Sequence, residues 1–573
     1  MLAAWAVAAL VLVGWGALGR RLLGARAASA DDWLVSFWVG WCAVVLALQV
    51  WHLALPMGRA ATAACVLIGA VGLVLGAANG VPWLRRAGRH APAIVGAGAV
   101  ALWLSNHALG GARYGDVGAY FLPTVHWYLA YPIMPGLGNL HGFFALNQSY
   151  FLYVAALDVG PFAGRSFHLA NGLLVLALGV RMVLALERVL RLRRAARLED
   201  VYYACMAPGT LALGVGIFLT STSPDVAIFA LGTVCTGELI ALFAADPRRR
   251  AARLRILVLL AVTGLTVKLS FVGFAAALLL VAAGVWWRSD RPPGLRLVRE
   301  LGIAALIGLA ALVPWVARNV VMSGFPFFPS AVIVLPVEWR VQTDVEGWLR
   351  YSVHPGGAFA MFQQPRWFLQ QLVKQQWNAP DVVGPLLVAA AGLSIALVRR
   401  AVRGGGAGAL PLVATLPALA SLLFCLMMSP VPRYAGATVW MLAATGVLVA
   451  CGDLVSRAGS ALRLVLVAAI VTATALALRI GMDPFWLRLK DFELMSPTAY
   501  EARRLESGFV VNVPTNNDAC WFAPLPCTAY PNPALRLRRE GDPAGGFMLD
   551  PVLHERFPYE PGAAWVLPPT GRP

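Results

Sequence analysis

Long apolar runs recur from one end of the chain to the other, and polar residues come in short bursts between them. The runs lie at about 1–18, 33–55, 60–80, 93–108, 168–188, 203–220, 224–245, 254–268, 271–287, 300–319, 383–398, 409–428, 433–452 and 461–480. They are continuous rather than alternating, which selects helix over strand. At 1.5 Å per residue such runs suit a hydrocarbon layer of about 30 Å. Lipid offers a backbone no hydrogen-bond partner, so a spanning segment must satisfy its own amides. The expected fold is an all-α polytopic membrane protein with about fourteen transmembrane helices, long outer-face loops and a small outward C-terminal tail. The first run lacks a basic lead and a small-residue cleavage site, and reads as a span rather than a signal.

Composition sharpens that picture. Of 573 residues, 59% are hydrophobic and only 13% charged, against about 25% charged in soluble domains. The formal charge of +18 does not imply nucleic acid, because basic residues cluster in short loops between the apolar runs. The clusters are Arg20/Arg21/Arg26, Arg85/Arg86/Arg89, Arg188 to Arg197, Arg248 to Arg255, Arg288 to Arg299, Arg399/Arg400/Arg403 and Arg457/Arg463. All fall in alternate loops, the bias of cytoplasmic connections. Both termini are then expected outside a bacterial inner membrane. So are the long segments 109–167, 320–382 and 481–573, which are rich in Trp, Tyr, Pro, Gly and Asn.

Six cysteines sit in apolar runs and read as small buried hydrophobes. Cys520 and Cys527 stand instead in the polar tail, in Cys-Trp-Phe-Ala-Pro-Leu-Pro-Cys. An oxidising compartment and that spacing favour a disulfide, with two unpaired thiols as the alternative.

The chemistry-bearing residues gather in the outer segments. Asp116, between Gly115 and Val117-Gly118, opens a stretch holding Tyr120, His126, Trp127, Asn139, His141 and Asn147-Gln-Ser149. The spacing of Tyr120, His126 and Trp127 predicts a short amphipathic helix on the membrane surface. Asp116 reads either as a general base toward an acceptor or as the cap of that helix. Asp225 follows Thr-Ser-Thr-Ser-Pro, where it either starts a helix or borders the same cavity. Tyr120, His126, Asn139 and His141 are further candidates for the cavity and its acceptor. Lys268 interrupts an apolar stretch and reads as a snorkelling cation or a phosphate ligand. Arg318 and Arg433 lie outside against the positive-inside bias, where a guanidinium suits phosphate, a lipid headgroup or an ion pair. No nucleotide-binding loop, dinucleotide fingerprint, HExxH or metal-type cysteine cluster is present.

An acidic residue early in a large outer loop, Arg318-Asn319 leading to Gly324-Phe-Pro-Phe-Phe-Pro329, and the Pro432-Arg433-Tyr434 hairpin resemble the GT-C class of membrane glycosyltransferases. The stretches Tyr131 to Ser149 and Cys520 to Arg538 also resemble a GT-C-like family of bacterial membrane proteins without an assigned activity. The resemblance implies a transmembrane core at 93–480, an accessory helical block at 1–92 and the tail at 481–573. It implies an inverting sugar transfer from a polyprenyl-phosphate donor to a glycan or lipid acceptor of the cell envelope. In that reading Asp116 is the catalytic acid, and Arg433, Arg318 and Lys268 meet the donor phosphate. The chain departs from the class in the three spans ahead of its loop. It also lacks a second acid beside Asp116, which weighs against a divalent ion and leaves Arg and Lys to neutralise the phosphate. A translocator of lipid-linked glycans and an envelope scaffold are the competing readings.

Overall fold

The computed structural model describes residues 1–25, 29–84, 90–191, 195–342, 347, 349, 359–403, 412–457, 459–481, 489–493, 495, 497–516 and 518–556. The Arg85/Arg86/Arg89 cluster and Arg26 lie outside them. The chain is an all-α membrane protein, and among the described residues nine helices are long and apolar enough to cross a membrane. The expected runs fall on helices such as Leu2–Leu22, Ala30–His52, Ala170–Leu190, Pro224–Phe243, Pro247–Val267 and Gly294–Ser323. The run at 203–220 is the exception. It breaks into Leu198–Cys205 and Ala207–Leu213, because Pro208 has no N–H to continue the ladder.

Local chemistry explains the helix ends. Ser29 and Asp32 form a reciprocal capping box at the start of Ala30–His52. The Asp246 side chain accepts from the amides of Arg248 and Arg249, with Pro247 in the first turn. Gly324, at φ 82°, closes Gly294–Ser323 in the left-handed conformation.

Charges collect at the helix ends that carry the basic loops. Arg20 pairs with Asp32 at 2.6 Å, Arg188 with Asp31 at 2.7 Å and Arg181 with Asp200 at 3.0 Å. Arg253 meets Glu238 at 2.6 Å and Arg255 meets Glu300 at 2.7 Å. Each pair joins different helices, so this network ties the bundle at one end. A buried pair of this kind mainly avoids the cost of an uncompensated charge.

The first helix pack is bound by close backbone contact. A Cβ added to Gly16 or Gly40 would lie 1.7 Å from the carbonyl oxygen of Ser36 or Leu12 respectively. Small residues that bring helix backbones together supply the packing that lipid cannot drive. Ala30–His52 also packs into the rest of the bundle, with Trp41 edge-on to Tyr153 at 5.7 Å.

At the other end the outer segments fold into a cap. The helix at Leu122–Ala130 exists but is not a surface helix: Val125, Trp127 and Tyr128 are almost wholly buried. The tail covers it. Two antiparallel hairpins, Tyr500–Arg504 with Val510–Pro514 and Leu535–Leu537 with Phe547–Leu549, form its frame. Cys520 and Cys527 are joined by a disulfide. The Phe547 amide donates to Pro135 and the Trp521 amide to Gly118, fastening the tail to residues 109–167.

Gly40→Ala is expected to destabilise the protein by about 1–3 kcal/mol through overpacking. Gly58→Ala, whose Cβ meets nothing within 4 Å, is expected to be neutral within about 0.5 kcal/mol. Thermal unfolding in detergent compares the two.

Candidate functional site

Under the cap lies a cavity of about 450 Å³, within the roughly 300–1,000 Å³ range of small-molecule sites. Its walls come from parts of the chain that are far apart in sequence. The turn after Ala91–His107 gives Asp116 and Tyr120. The start of Pro224–Phe243 gives Asp225. The break between Pro247–Val267 and Val272–Asp290 gives Lys268, and the 432–435 turn gives Arg433 and Tyr434.

The local backbone explains these positions. Residues Val117–Phe121 form a single π-helical turn, a feature that wraps side chains around a site. Gly118 within it lies under the Trp521 indole, where a Cβ would come within 2.1 Å of the ring. Pro224 and the Ser223 hydroxyl, which accepts from the Asp225 amide, start the next helix with Asp225 in its first turn. Lys268 is extended (φ −156°, ψ 125°), so the helix stops there and the side chain turns into the cavity.

Four charged groups pair across this space. Arg433 Nη1 donates to Asp116 Oδ2 at 3.1 Å, and the Tyr114 hydroxyl donates to the same oxygen at 2.8 Å. Among the described residues no donor reaches Oδ1. The Lys268 ammonium pairs with Asp225 Oδ1, while Asp225 Oδ2 accepts from the Ser223 hydroxyl at 3.1 Å. The Tyr434 ring lies between the cations, 4.4 Å from Lys268 Nζ and 4.9 Å from the Arg433 guanidinium carbon, close enough for cation–π attraction. Burial pushes the Asp116 carboxyl up to about 6, with the negative Asp225 adding to the rise and Lys268 opposing it. A carboxylate in that range is well matched to taking a proton near neutral pH.

Much of the remaining lining is aromatic and uncharged. Tyr120 stacks on Phe143 with centroids 4.8 Å apart, and His141 stacks on Phe144 at 4.7 Å. Burial holds the His141 imidazole down at about 4, hence neutral. Phe328, Pro329, Phe424 and Met428 continue the apolar lining.

The cavity thus unites Asp116, Tyr120, His141, Asp225, Lys268 and Arg433. Arg318, His126 and Asn139 are not in its lining. Arg318 is fully buried, donating from Nε to Asn147 Oδ1 at 3.0 Å and from Nη1 to His52 Nδ1 at 2.6 Å, over the Tyr128 ring. His126 lies 5.5 Å from Phe522. Asn139 donates to the carbonyls of Trp339 and Phe547, which locks the cap to the tail. Gln148, Ser270 and Tyr530 also line the cavity. Gln148 and Tyr530 lie within the stretches that carry the family resemblance, and Ser270 beside Lys268, but none was a candidate site residue from the sequence. Both acids face cations, and among the described residues no group of three His, Cys, Asp or Glu is placed to hold an ion.

A family model described as a domain of unknown function (DUF8201) matches residues 1–440. No curated protein and no solved structure matches the chain.

Removing the like charge at Asp225 should let Asp116 ionise more easily. Asp225→Asn is expected to lower the Asp116 pKa below about 6, read from the carboxyl band in infrared titration against an Asp116→Asn reference. An unchanged midpoint would mean that the two acids do not sense each other.

Proposed function

We propose that this chain, which belongs to the DUF8201 family, is a glycosyltransferase of the bacterial inner membrane. It moves a sugar from a polyprenyl-phosphate donor to a cell-envelope acceptor at the outer face. Residues 93–480 form its GT-C-like core, with 1–92 as an accessory block and the tail as part of the outer cap. The observation that carries this reading is the state of Asp116: one oxygen is held by Tyr114 and Arg433, and the other meets no donor among the described residues. That is the posture of an oriented base with a lone pair to spare, beside cations suited to an anionic leaving group.

The chemistry follows from the arrangement. The acceptor hydroxyl gives its proton to Asp116 Oδ1 as its oxygen attacks C1 of the sugar. The C1–O bond to the lipid phosphate breaks, and the bonding pair leaves on the phosphate. Lys268 and Arg433 lie where that growing charge is best stabilised, and electrostatic preorganisation of this kind is commonly the largest catalytic term. A single displacement inverts the anomeric centre. Arg433 is then shared between aligning Asp116 and meeting the phosphate. Arg318 supports the cap from within the protein rather than contacting donor.

The competing translocator reading gains less from the site. A carrier of charged headgroups needs polar groups along a path through the bilayer, whereas the ion pairs described above gather at the two ends of the bundle.

Asp116→Asn is expected to cut sugar transfer from a lipid-phosphate donor by about 10²–10⁴-fold with donor binding retained. In the wild type the active form is the carboxylate, so kcat/KM should be full above neutral pH. It should fall roughly tenfold per unit once the pH drops below about 6. Undiminished transfer by a folded Asp116→Asn protein removes the proposal. Sidedness has its own measurement: Gly160→Cys should react with an impermeant maleimide in intact spheroplasts, and Arg248→Cys only after permeabilisation.

A further inference from the structure

Buried polar atoms normally find partners inside the protein, because leaving one unsatisfied costs about 1–3 kcal/mol. The cavity breaks this rule on its uncharged side. Neither ring nitrogen of His141 nor Oε1 of Gln148 has a hydrogen-bond partner among the described residues, although the two side chains are only 6% and 7% exposed. Both line the cavity.

The fold holds these atoms in place. His141 is gripped by rings: Phe144 at 4.7 Å, Tyr530 at 5.5 Å and Phe143 at 5.7 Å. Gln148 follows Asn147, a non-glycine residue at φ 49°. Asn147 is pinned by the Arg318 guanidinium and by its own donation to the Trp315 carbonyl at 2.8 Å. On the other flank, Ser149 bonds Thr266 through both its amide and its hydroxyl. A side chain clamped on both sides yet lacking a partner is set up for something that is not protein.

What remains is to read which ligand fits. A neutral imidazole offers one donor and one acceptor, and Gln148 Oε1 offers an acceptor. Such a set rejects a phosphate, whose oxygens only accept from these groups and would face the amide oxygen unfavourably. It accepts hydroxyls, which donate and accept. The stacked rings of Tyr120 and Phe143 give a flat apolar surface against which the C–H face of a ring packs, an arrangement a flexible glycerol chain cannot exploit equally. The charged pairs line the same cavity.

We propose that the wall built from His141 and Gln148, with Tyr120, Phe143 and Tyr530 beside it, is the subsite for an uncharged, hydroxyl-bearing ring. It rests on the transferase reading, and places the transferred sugar there with its phosphate toward Lys268 and Arg433. Arg318 is a positioning residue for this wall, acting through Asn147.

Equilibrium binding in nanodiscs tests the subsite separately from the reaction. The probes form two pairs: undecaprenyl phosphate against the same lipid carrying glucose, mannose, galactose or arabinose, and octanol against the corresponding octyl glycosides. With at least one of these sugars, each glycosylated probe should bind at least tenfold more tightly than its sugar-free partner. His141→Phe and Gln148→Leu should each remove about tenfold of that preference while undecaprenyl phosphate binding stays within twofold, which also certifies folding. Arg318→Lys should erode the preference without altering undecaprenyl phosphate binding. The subsite is overturned if no sugar is preferred in either pair, if the preference survives both substitutions, or if phosphatidylglycerol displaces the glycosylated lipid as well as its own kind does. Equal binding of undecaprenyl phosphate and undecaprenol would instead count against the phosphate contacts and leave an octyl glycoside preference standing.

Discussion

A hydrocarbon layer gives an ionised side chain no water to lean on, so every charge in this bundle has to meet its counter-charge within the fold or retreat to a helix end. The structure obeys this at both ends, with different results. Where the basic loops lie, arginines and acids from successive helices interlock, and the pairs are spent on holding helices together. At the other end two pairs, Asp116 with Arg433 and Asp225 with Lys268, face a common space rather than filling it. The Arg433–Asp116 pair is about one-third exposed to the cavity side, whereas the Lys268–Asp225 pair is more deeply buried.

Much of the architecture was legible because its cause is one-dimensional. Hydrophobic run length acts within a few residues, so the helices could be placed from the pattern. The break at Pro208 was written in the sequence too, yet the apolar character of the 203–220 run masks it. The outer segments were harder. Their tryptophans and tyrosines read as interfacial, but Trp127 is buried against Phe547 of a tail that begins hundreds of residues later, and Tyr128 against His52 and Arg318. No local period reports such a cover.

The candidate site divides along the same line. Asp116, Asp225, Lys268 and Arg433 stand out in the sequence because charges in apolar surroundings are expensive, and the structure brings them to one cavity. Arg318 was conspicuous for the same reason but satisfies a different need. Its guanidinium fixes the His52 ring, whose Nε2 in turn reaches the Tyr131 carbonyl, and so braces the cap from below. Tyr530 and Phe143 carry no such mark, since aromatic side chains are commonplace in outer loops, and Gln148 was visible only as part of the Asn147-Gln-Ser149 stretch. Their significance exists only in three dimensions.

The tail supplies Tyr530 to the cavity and lays Trp521 across Gly118, one turn from Asp116. A ribosome therefore completes every helix of the bundle before it makes the last wall of the pocket. During synthesis the half-built protein already owns its acid and its cations, but with that side unsealed they stand open to water. The pocket is in this way closed only once the tail segment around Tyr530 has been made, and a copy cut off after the helices would leave that side of the cavity unroofed.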